Sequence, residues 1–148
     1  MIMAEGAAEQ LAAWSAGLAW RDVPDDQRSL VGLRVLDTVG LVLAGYETQA
    51  ARAAFAIGRK QGGTAECALF LTGERTCAAT AALVHGTVAH CRDFDDTFLD
   101  SVVHPGSTIV TAAFAVGEAE RRPDEEIATA ILVGYEAAAR IGAIAGRR

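Results

Sequence analysis

The chain has 148 residues, of which 51% are apolar and 22% are charged, and its formal net charge is −6. This is the length of one domain with its own hydrophobic core, and the acidic balance, with no run of Lys or Arg, argues against a nucleic-acid partner. The longest apolar candidate, residues 30–46, is interrupted by charged side chains and falls short of the roughly 18 uninterrupted residues that a membrane span needs. Because acidic residues precede any long apolar run, the N-terminus does not resemble a signal peptide, and we expect a cytoplasmic protein.

Apolar residues at helical spacing predict a series of α-helices in the first part of the chain. We expect the first helix over residues 7–20 and the second from about Pro24 to Ala44. Residues 31–43 are apolar on nearly all sides, which predicts a helix that is buried on several sides. A third helix is expected over residues 50–60.

The middle of the chain holds one segment that favours extended structure. A short apolar run at residues 67–71 stands before Gly73, which predicts one small β-hairpin within residues 67–76. A helix is expected over residues 78–91, followed by a loop rich in acids over residues 92–106.

Two further helices are predicted after this loop. We expect Ser107 or Thr108 to cap the first of them, and Pro123 to open the second. The second carries one apolar stripe, which comprises Ile127, Ile131, Tyr135, Ala138 and Ile141. The fold predicted for residues 1–148 is therefore all-α, with one short hairpin.

The acidic loop concentrates the residues that are able to do chemistry. Asp93, Asp95, Asp96 and Thr97 lie within five residues, and His104 follows Thr97 by seven positions. Carboxylates this close repel one another, which favours a raised pKa for at least one of them and suits it to general acid–base catalysis. We favour this interpretation over a purely structural one, in which the acids end a helix and stabilise a turn.

Two short signatures match the same residues weakly. Residues 93–97 fit the DxDxT signature of haloacid-dehalogenase-like phosphohydrolases, which requires a β-strand over residues 84–92. His85, His90 and Arg92 fit such a strand poorly, and a packed, hydrogen-bonded role is the expected one for both histidines. The DxDD signature of terpene cyclases also matches, but it requires an aromatic lining, and aromatic residues make up 6% of the chain.

A longer, ordered set of residues is more specific. The string AHCRDFDDT at residues 89–97, followed by His104-Pro105-Gly106, strongly resembles the MmgE/PrpD family. That family includes 2-methylcitrate dehydratases, cis-aconitate decarboxylases and an iminodisuccinate epimerase. Flanking segments fit the same family in the right order, so that the resemblance covers nearly the whole chain; they are residues 36–45, 61–73, 112–118 and 134–140.

The resemblance implies the N-terminal part of a large helical domain, with the lid domain and the rest of the helical domain absent from this chain. It also implies a homodimer through the helical domain, no metal or organic cofactor, and proton transfer beside a carboxylate of a small polycarboxylate. Asp93, Thr97 and His104 then face the substrate as catalytic residues. The residues expected to bind substrate or support the loop are His90, Asp95 and Asp96.

Within this resemblance, Thr97 donates a hydrogen bond to the substrate and Asp93 orients or shares a proton. His104 moves a proton or binds a carboxylate as imidazolium. Since other substrate-facing residues are expected outside the chain, we expect it to be inactive alone. Two further hypotheses are a non-catalytic helical remnant or interaction module, and one chain of a two-chain enzyme.

Overall fold

The computed structural model describes residues 6–145, so the ends of the predicted domain, residues 1–5 and 146–148, lie outside the described residues. The elements, in chain order, are α1 (Ala7–Gly17), α2 (Asp25–Gly45), α3 (Gln49–Gln61), β1 (Cys67–Ala68), β2 (Arg75–Thr76), α4 (Ala78–His90), α5 (Pro105–Ala119) and α6 (Asp124–Ala145). A single 3-10 turn, Trp20–Asp22, follows α1 in the described part of the chain. The strands pair in antiparallel register, with Cys67 opposite Thr76. The predicted all-α fold with one short hairpin is confirmed.

Helices α4 and α5 form the centre of the fold, and an apolar cluster lies on each side of this pair. The first cluster joins α2, α3, α4 and the hairpin around Val42, Phe55 and Val84. The second joins α2, α5 and α6 around Val110 and Ile131. Since α2 contributes to both clusters, it holds the two halves of the core together.

The prediction that α2 is buried on several sides is wrong. Its buried residues are Val31, Thr38, Val42 and Gly45. Three of its leucines are more than half exposed, namely Leu33 at 61%, Leu36 at 69% and Leu43 at 54%. The physical reason is that α4, α5 and α6 cover one side of the helix and leave its other apolar side open.

Two predicted helix ends also differ from the structure. Helix α1 ends at Gly17 rather than at Trp20, because Leu18 takes an extended conformation with φ −74° and ψ 126°. Helix α5 begins at Pro105, with His104 at the capping position instead of Ser107 or Thr108. Proline suits a first helical position because the N–H that it lacks would have no partner there. His104 is therefore placed where the loop meets α5.

Helix α6 carries the predicted apolar stripe, which is buried in its first half. Ile131 and Tyr135 are buried, whereas Ile141 is 60% exposed. Helix α6, with a mean hydropathy of 1.4 over its most apolar stretch, is long and apolar enough to cross a bilayer. The same is true of α2 and α3 taken together as one pair bent by 96°. A core helix of a soluble protein meets these criteria too, so a location in the cytoplasm remains a prediction.

Candidate functional site

The loop between α4 and α5 folds back on itself and brings its two ends together. Just after the end of α4, the chain turns at Asp93, whose φ of 56° lies in the left-handed region that Asp tolerates better than most residues. The N–H of Phe98 donates to the carbonyl of Val103 at 2.9 Å, which closes the loop. As a result Thr97 and His104, on either side of this closure, lie with Oγ1 and Nδ1 3.3 Å apart.

A buried carboxylate stands at the centre of the loop. The side chain of Asp95 has no exposed surface, and both of its oxygens lie 2.9 Å from Nδ1 of His90. Burial opposes ionisation of Asp95, but hydrogen bonds from Ser107 and His90 outweigh it and hold its pKa below the ordinary value. Asp95 thus stays ionised, and its Oδ1 also lies 3.6 Å from Nδ1 of His104.

His104 has a different neighbour at each ring nitrogen. Nδ1 faces Thr97 and Asp95, while Nε2 lies 4.0 Å from Oδ1 of Asp93. The His104 side chain is 28% exposed and that of Asp93 is 80% exposed, so this side of the ring opens to solvent. The structure therefore brings together the three residues that the sequence predicts to be catalytic.

His90 is more accessible than the sequence predicts. Its side chain is 52% exposed, so the expectation of a packed histidine is wrong, although the expected hydrogen bond is present. Its ring lies 5.3 Å from that of His104 between centroids. His90 stands at the last position of α4, where the helix ends and leaves one face of the ring uncovered. Two imidazoles therefore flank one buried carboxylate.

Asp96 anchors the first turn of α5. Its Oδ1 accepts a hydrogen bond of 2.8 Å from the N–H of Gly106. A side chain at Gly106 would place its Cβ 2.6 Å from that oxygen and 2.9 Å from the hydroxyl of Tyr135. Burial, and then the neighbouring Asp96, raise the pKa of Tyr135 well above its ordinary value. Tyr135 is buried, as predicted, but its hydroxyl points at the loop rather than into an apolar core.

Two residues of α2 belong to the same neighbourhood and are missed by the sequence motifs. The guanidinium of Arg34 lies 4.2 Å from the centre of the Tyr135 ring. Burial raises the pKa of Asp37, and the negative charges of Asp96 and Asp95 raise it further. These two residues and Thr38 interrupt the otherwise apolar residues 30–45 of α2 at helical spacing, which is the signal that could have found them.

Four side chains of the site also have the geometry to hold a metal ion. His90, Asp93, Asp95 and His104 each offer one ligand atom, and the four atoms lie within 4.8 Å of one another. Two imidazoles and two carboxylates match the ligand preferences of Zn²⁺ and similar transition metals. The expectation of a site without metal therefore remains a prediction.

His85 lies apart from this site and is packed, as predicted. It is 2% exposed, its Nε2 accepts a hydrogen bond from the N–H of Phe70 at 3.0 Å, and the two rings stack 3.9 Å apart. Burial lowers the pKa of His85 to about 4. It borders a cavity of about 430 Å³ between the hairpin, α4, α5 and the start of α6.

This burial predicts an acid sensitivity. Folded His85 binds its proton more weakly than unfolded His85 does. The free energy of unfolding is therefore highest above pH 6.5 and falls as the pH is lowered towards 4. Between pH 7 and 4.5 we expect His85 to account for about 2 kcal/mol of lost unfolding free energy. The variant His85→Asn keeps an acceptor for the N–H of Phe70, so its free energy of unfolding, measured with urea, should fall less steeply as the pH is lowered. If the variant and the original protein lose the same free energy over this pH range, His85 is not the source of the acid sensitivity.

The structure excludes the phosphohydrolase hypothesis. The DxDxT signature requires a β-strand over residues 84–92, but this segment lies in α4 and the turn that follows it. The carboxylates therefore do not follow a buried strand as that chemistry requires.

Comparison with known proteins agrees with this geometry. A search of curated proteins finds no match to the chain. The sequence model of the MmgE/PrpD N-terminal domain matches residues 9–148, which include every helix from α2 onwards and the whole acidic loop. The chain therefore belongs to the MmgE/PrpD family.

Proposed function

We propose that this chain supplies the proton-transfer part of the active site of a cofactor-independent lyase or isomerase acting on a small polycarboxylate. The observation that supports the proposal is the convergence of Asp93, Thr97 and His104 at one end of the loop, in a chain of this family. The family includes dehydratases and other lyases, and such a reaction needs a base beside a carbon that carries a carboxylate.

In the proposed reaction His104 takes the proton from that carbon. The electron pair of the broken C–H bond forms a C=C bond, and the neighbouring hydroxyl leaves as water after protonation by an acid. The buried charge of Asp95, 3.6 Å from Nδ1 of His104, stabilises the imidazolium that forms. Thr97 donates its hydroxyl hydrogen to the substrate, and Asp93 holds or shares the proton at Nε2.

The charge of the site sets a further requirement. Asp93, Asp95 and Asp96 lie in the loop, and Asp37 lies close enough to Asp95 and Asp96 for their charges to raise its pKa. A substrate with two or three carboxylates needs cations against this field. We propose that these cations come from parts of the enzyme beyond this helical unit or from a second copy in a homodimer, and that this unit is inactive alone.

Turnover tests the proposal. The assembled enzyme, including the parts that are proposed to supply the cations, is incubated with 2-methylcitrate and with cis-aconitate, and each reaction is followed by proton NMR. Conversion of either compound, or exchange of a hydrogen beside a carboxylate for solvent deuterium, would support the proposal. A folded sample that leaves both compounds unchanged and unexchanged in D₂O would contradict it.

A non-catalytic interaction module is the second candidate. The three exposed leucines of α2, Leu33, Leu36 and Leu43, favour it because such a surface is suited to association. Sedimentation velocity combined with calorimetric titration with 2-methylcitrate distinguishes the two: an interaction module should associate without binding any polycarboxylate. The homodimer that the family resemblance implies is tested by the same measurement.

A further inference from the structure

We propose that His90, Asp93, Asp95 and His104 bind one divalent transition metal ion, and that Zn²⁺ is the ion the site fits best. Their four ligand atoms lie within 4.8 Å of one another. The residues come from the last position of α4, the loop and the capping position of α5. The same loop closure that joins Thr97 to His104 therefore gathers all four ligands.

The distances are close to those of a tetrahedral zinc site. Bonds of about 2.0–2.1 Å place neighbouring ligand atoms about 3.4 Å apart in a tetrahedron. Oδ1 of Asp95 lies 2.9 Å from Nδ1 of His90 and 3.6 Å from Nδ1 of His104, on either side of that value. Oδ1 of Asp93 lies 4.0 Å from Nε2 of His104, the ring nitrogen opposite the one that faces Asp95, so Asp93 has to move to join the other ligands. Its side chain is 80% exposed and is free to do so.

The ligands also differ in mobility in a way that favours binding. Asp95 is fully buried and is already held by Ser107, so one ligand is fixed in advance and has a partner that orients it. The side chains of His90 and Asp93 are 52% and 80% exposed and are able to adjust to the ion. Because one ligand is already fixed and the others are able to adjust, less free energy is needed to order the side chains around the ion.

Charge and donor type select the ion. Two carboxylates neutralise a divalent cation, and Asp37 and Asp96 add to the negative potential nearby. Imidazole nitrogens suit Zn²⁺ and Co²⁺, whereas Mg²⁺ and Ca²⁺ prefer oxygen ligands throughout. We therefore expect Zn²⁺ to bind and Mg²⁺ not to compete at equal concentration.

Metal binding would oppose the proposed proton transfer. An ion on one ring nitrogen of His104 leaves the proton on the other, so the ring cannot act as a base, and an ion on Asp93 and Asp95 cancels the charge that stabilises the imidazolium. Zn²⁺ is thus expected to inhibit turnover. The binding itself is independent of the proposed function, since it requires only the four ligands.

The test is calorimetric titration of the metal-free protein with Zn²⁺, together with visible absorption of the Co²⁺ form. We expect one equivalent to bind, and Co²⁺ to give the intense bands of a tetrahedral site. His90→Ala, at an exposed helix end, should abolish this binding, and Ser107→Ala should weaken it roughly 10- to 100-fold, as loss of a ligand-orienting partner does. Asp100→Asn, an exposed acid of the same loop outside the cluster, should bind like the original protein.

Cys91 provides a second control because it is a free thiol that directly follows His90 in the sequence, and thiols also bind Zn²⁺. Cys91→Ser should retain full affinity. Lack of saturable binding, equal binding by His90→Ala, or full competition by Mg²⁺ would each overturn the proposal. Zn²⁺ binding by an assembled enzyme whose metal-free form lacks turnover would reject the proposed function alone, whereas turnover without Zn²⁺ binding would reject the metal site alone.

Discussion

Replacing His104 by Ala in the assembled enzyme is expected to lower kcat by a factor of roughly 10² to 10⁴, the range that a positioned general acid or base contributes. The reason is that His104 contacts Thr97 and Asp95 through one nitrogen and faces Asp93 and solvent with the other. Proton NMR of the reaction with 2-methylcitrate or cis-aconitate measures the loss, and far-ultraviolet circular dichroism should remain unchanged.

Leu99→Ala is the matched control for His104→Ala. Leu99 belongs to the same loop but is 82% exposed, so its removal should leave kcat within about twofold. If His104→Ala retains activity within a few-fold while its helices remain intact, the assignment of His104 as the proton-transfer residue is wrong.

Gly106→Ala is expected to lower the free energy of unfolding by about 3 kcal/mol, since it combines overpacking with damage to a part-buried hydrogen bond. The added Cβ would lie 2.6 Å from Oδ1 of Asp96 and 2.9 Å from the hydroxyl of Tyr135. Asp96 cannot move away without giving up its 2.8 Å hydrogen bond to the N–H of Gly106. Because this bond joins the loop to α5, turnover should fall with stability.

Urea unfolding measures the stability of Gly106→Ala, with Gly32→Ala as its control. Gly32 lies in α2 with open space where a Cβ would stand, so alanine there should be neutral or stabilise by up to about 1 kcal/mol. A Gly106→Ala variant as stable as the original protein would show that the loop is not packed on α5 as described.

Much of the fold is predictable from the sequence because its signals are local. The Pro123 that precedes α6, the Gly73 turn of the hairpin and the apolar repeat of α6 each depend on residues that are close in sequence. The exposed face of α2 is not predictable in this way, because Leu33 and Leu36 have the same apolar pattern whether or not a neighbouring helix covers them. The loss of helix after Gly17 depends on an extended Leu18, which no propensity at that position requires.

The residues of the site likewise fall into those that a local motif identifies and those that only tertiary contacts bring in. Asp93, Asp95, Asp96 and Thr97 are consecutive or nearly so, and their motif identifies them from the sequence alone. Tyr135 reaches the loop from α6, and the apolar stripe to which it belongs gives no indication that its hydroxyl faces Asp96. The two residues of α2 that join the site, Arg34 and Asp37, do so only because α2 packs beside α6, which is a tertiary contact.

The exposure of His90 and its hydrogen-bond partner could not be predicted from the sequence either. A histidine among small residues near the end of a helix is usually packed, and the sequence predicts this for His90. The side chain is 52% exposed because α4 ends at this residue, and the partner that orients it, Asp95, lies five positions later beyond a turn. Predicting that partner requires the path of the loop, which a left-handed Asp93 sets.

The central claim is that the loop from Asp93 to His104 binds a polycarboxylate, and a titration followed by amide NMR tests it most directly. The assembled enzyme, labelled with ¹⁵N and freed of metal by a chelator that is removed before the measurement, is titrated with 2-methylcitrate and, as a control, with propionate. We expect saturable shifts confined to residues 93–107 and the facing turns of α2 and α6, with 2-methylcitrate and not with propionate. Shifts elsewhere, or no difference between the two compounds, would contradict the claim.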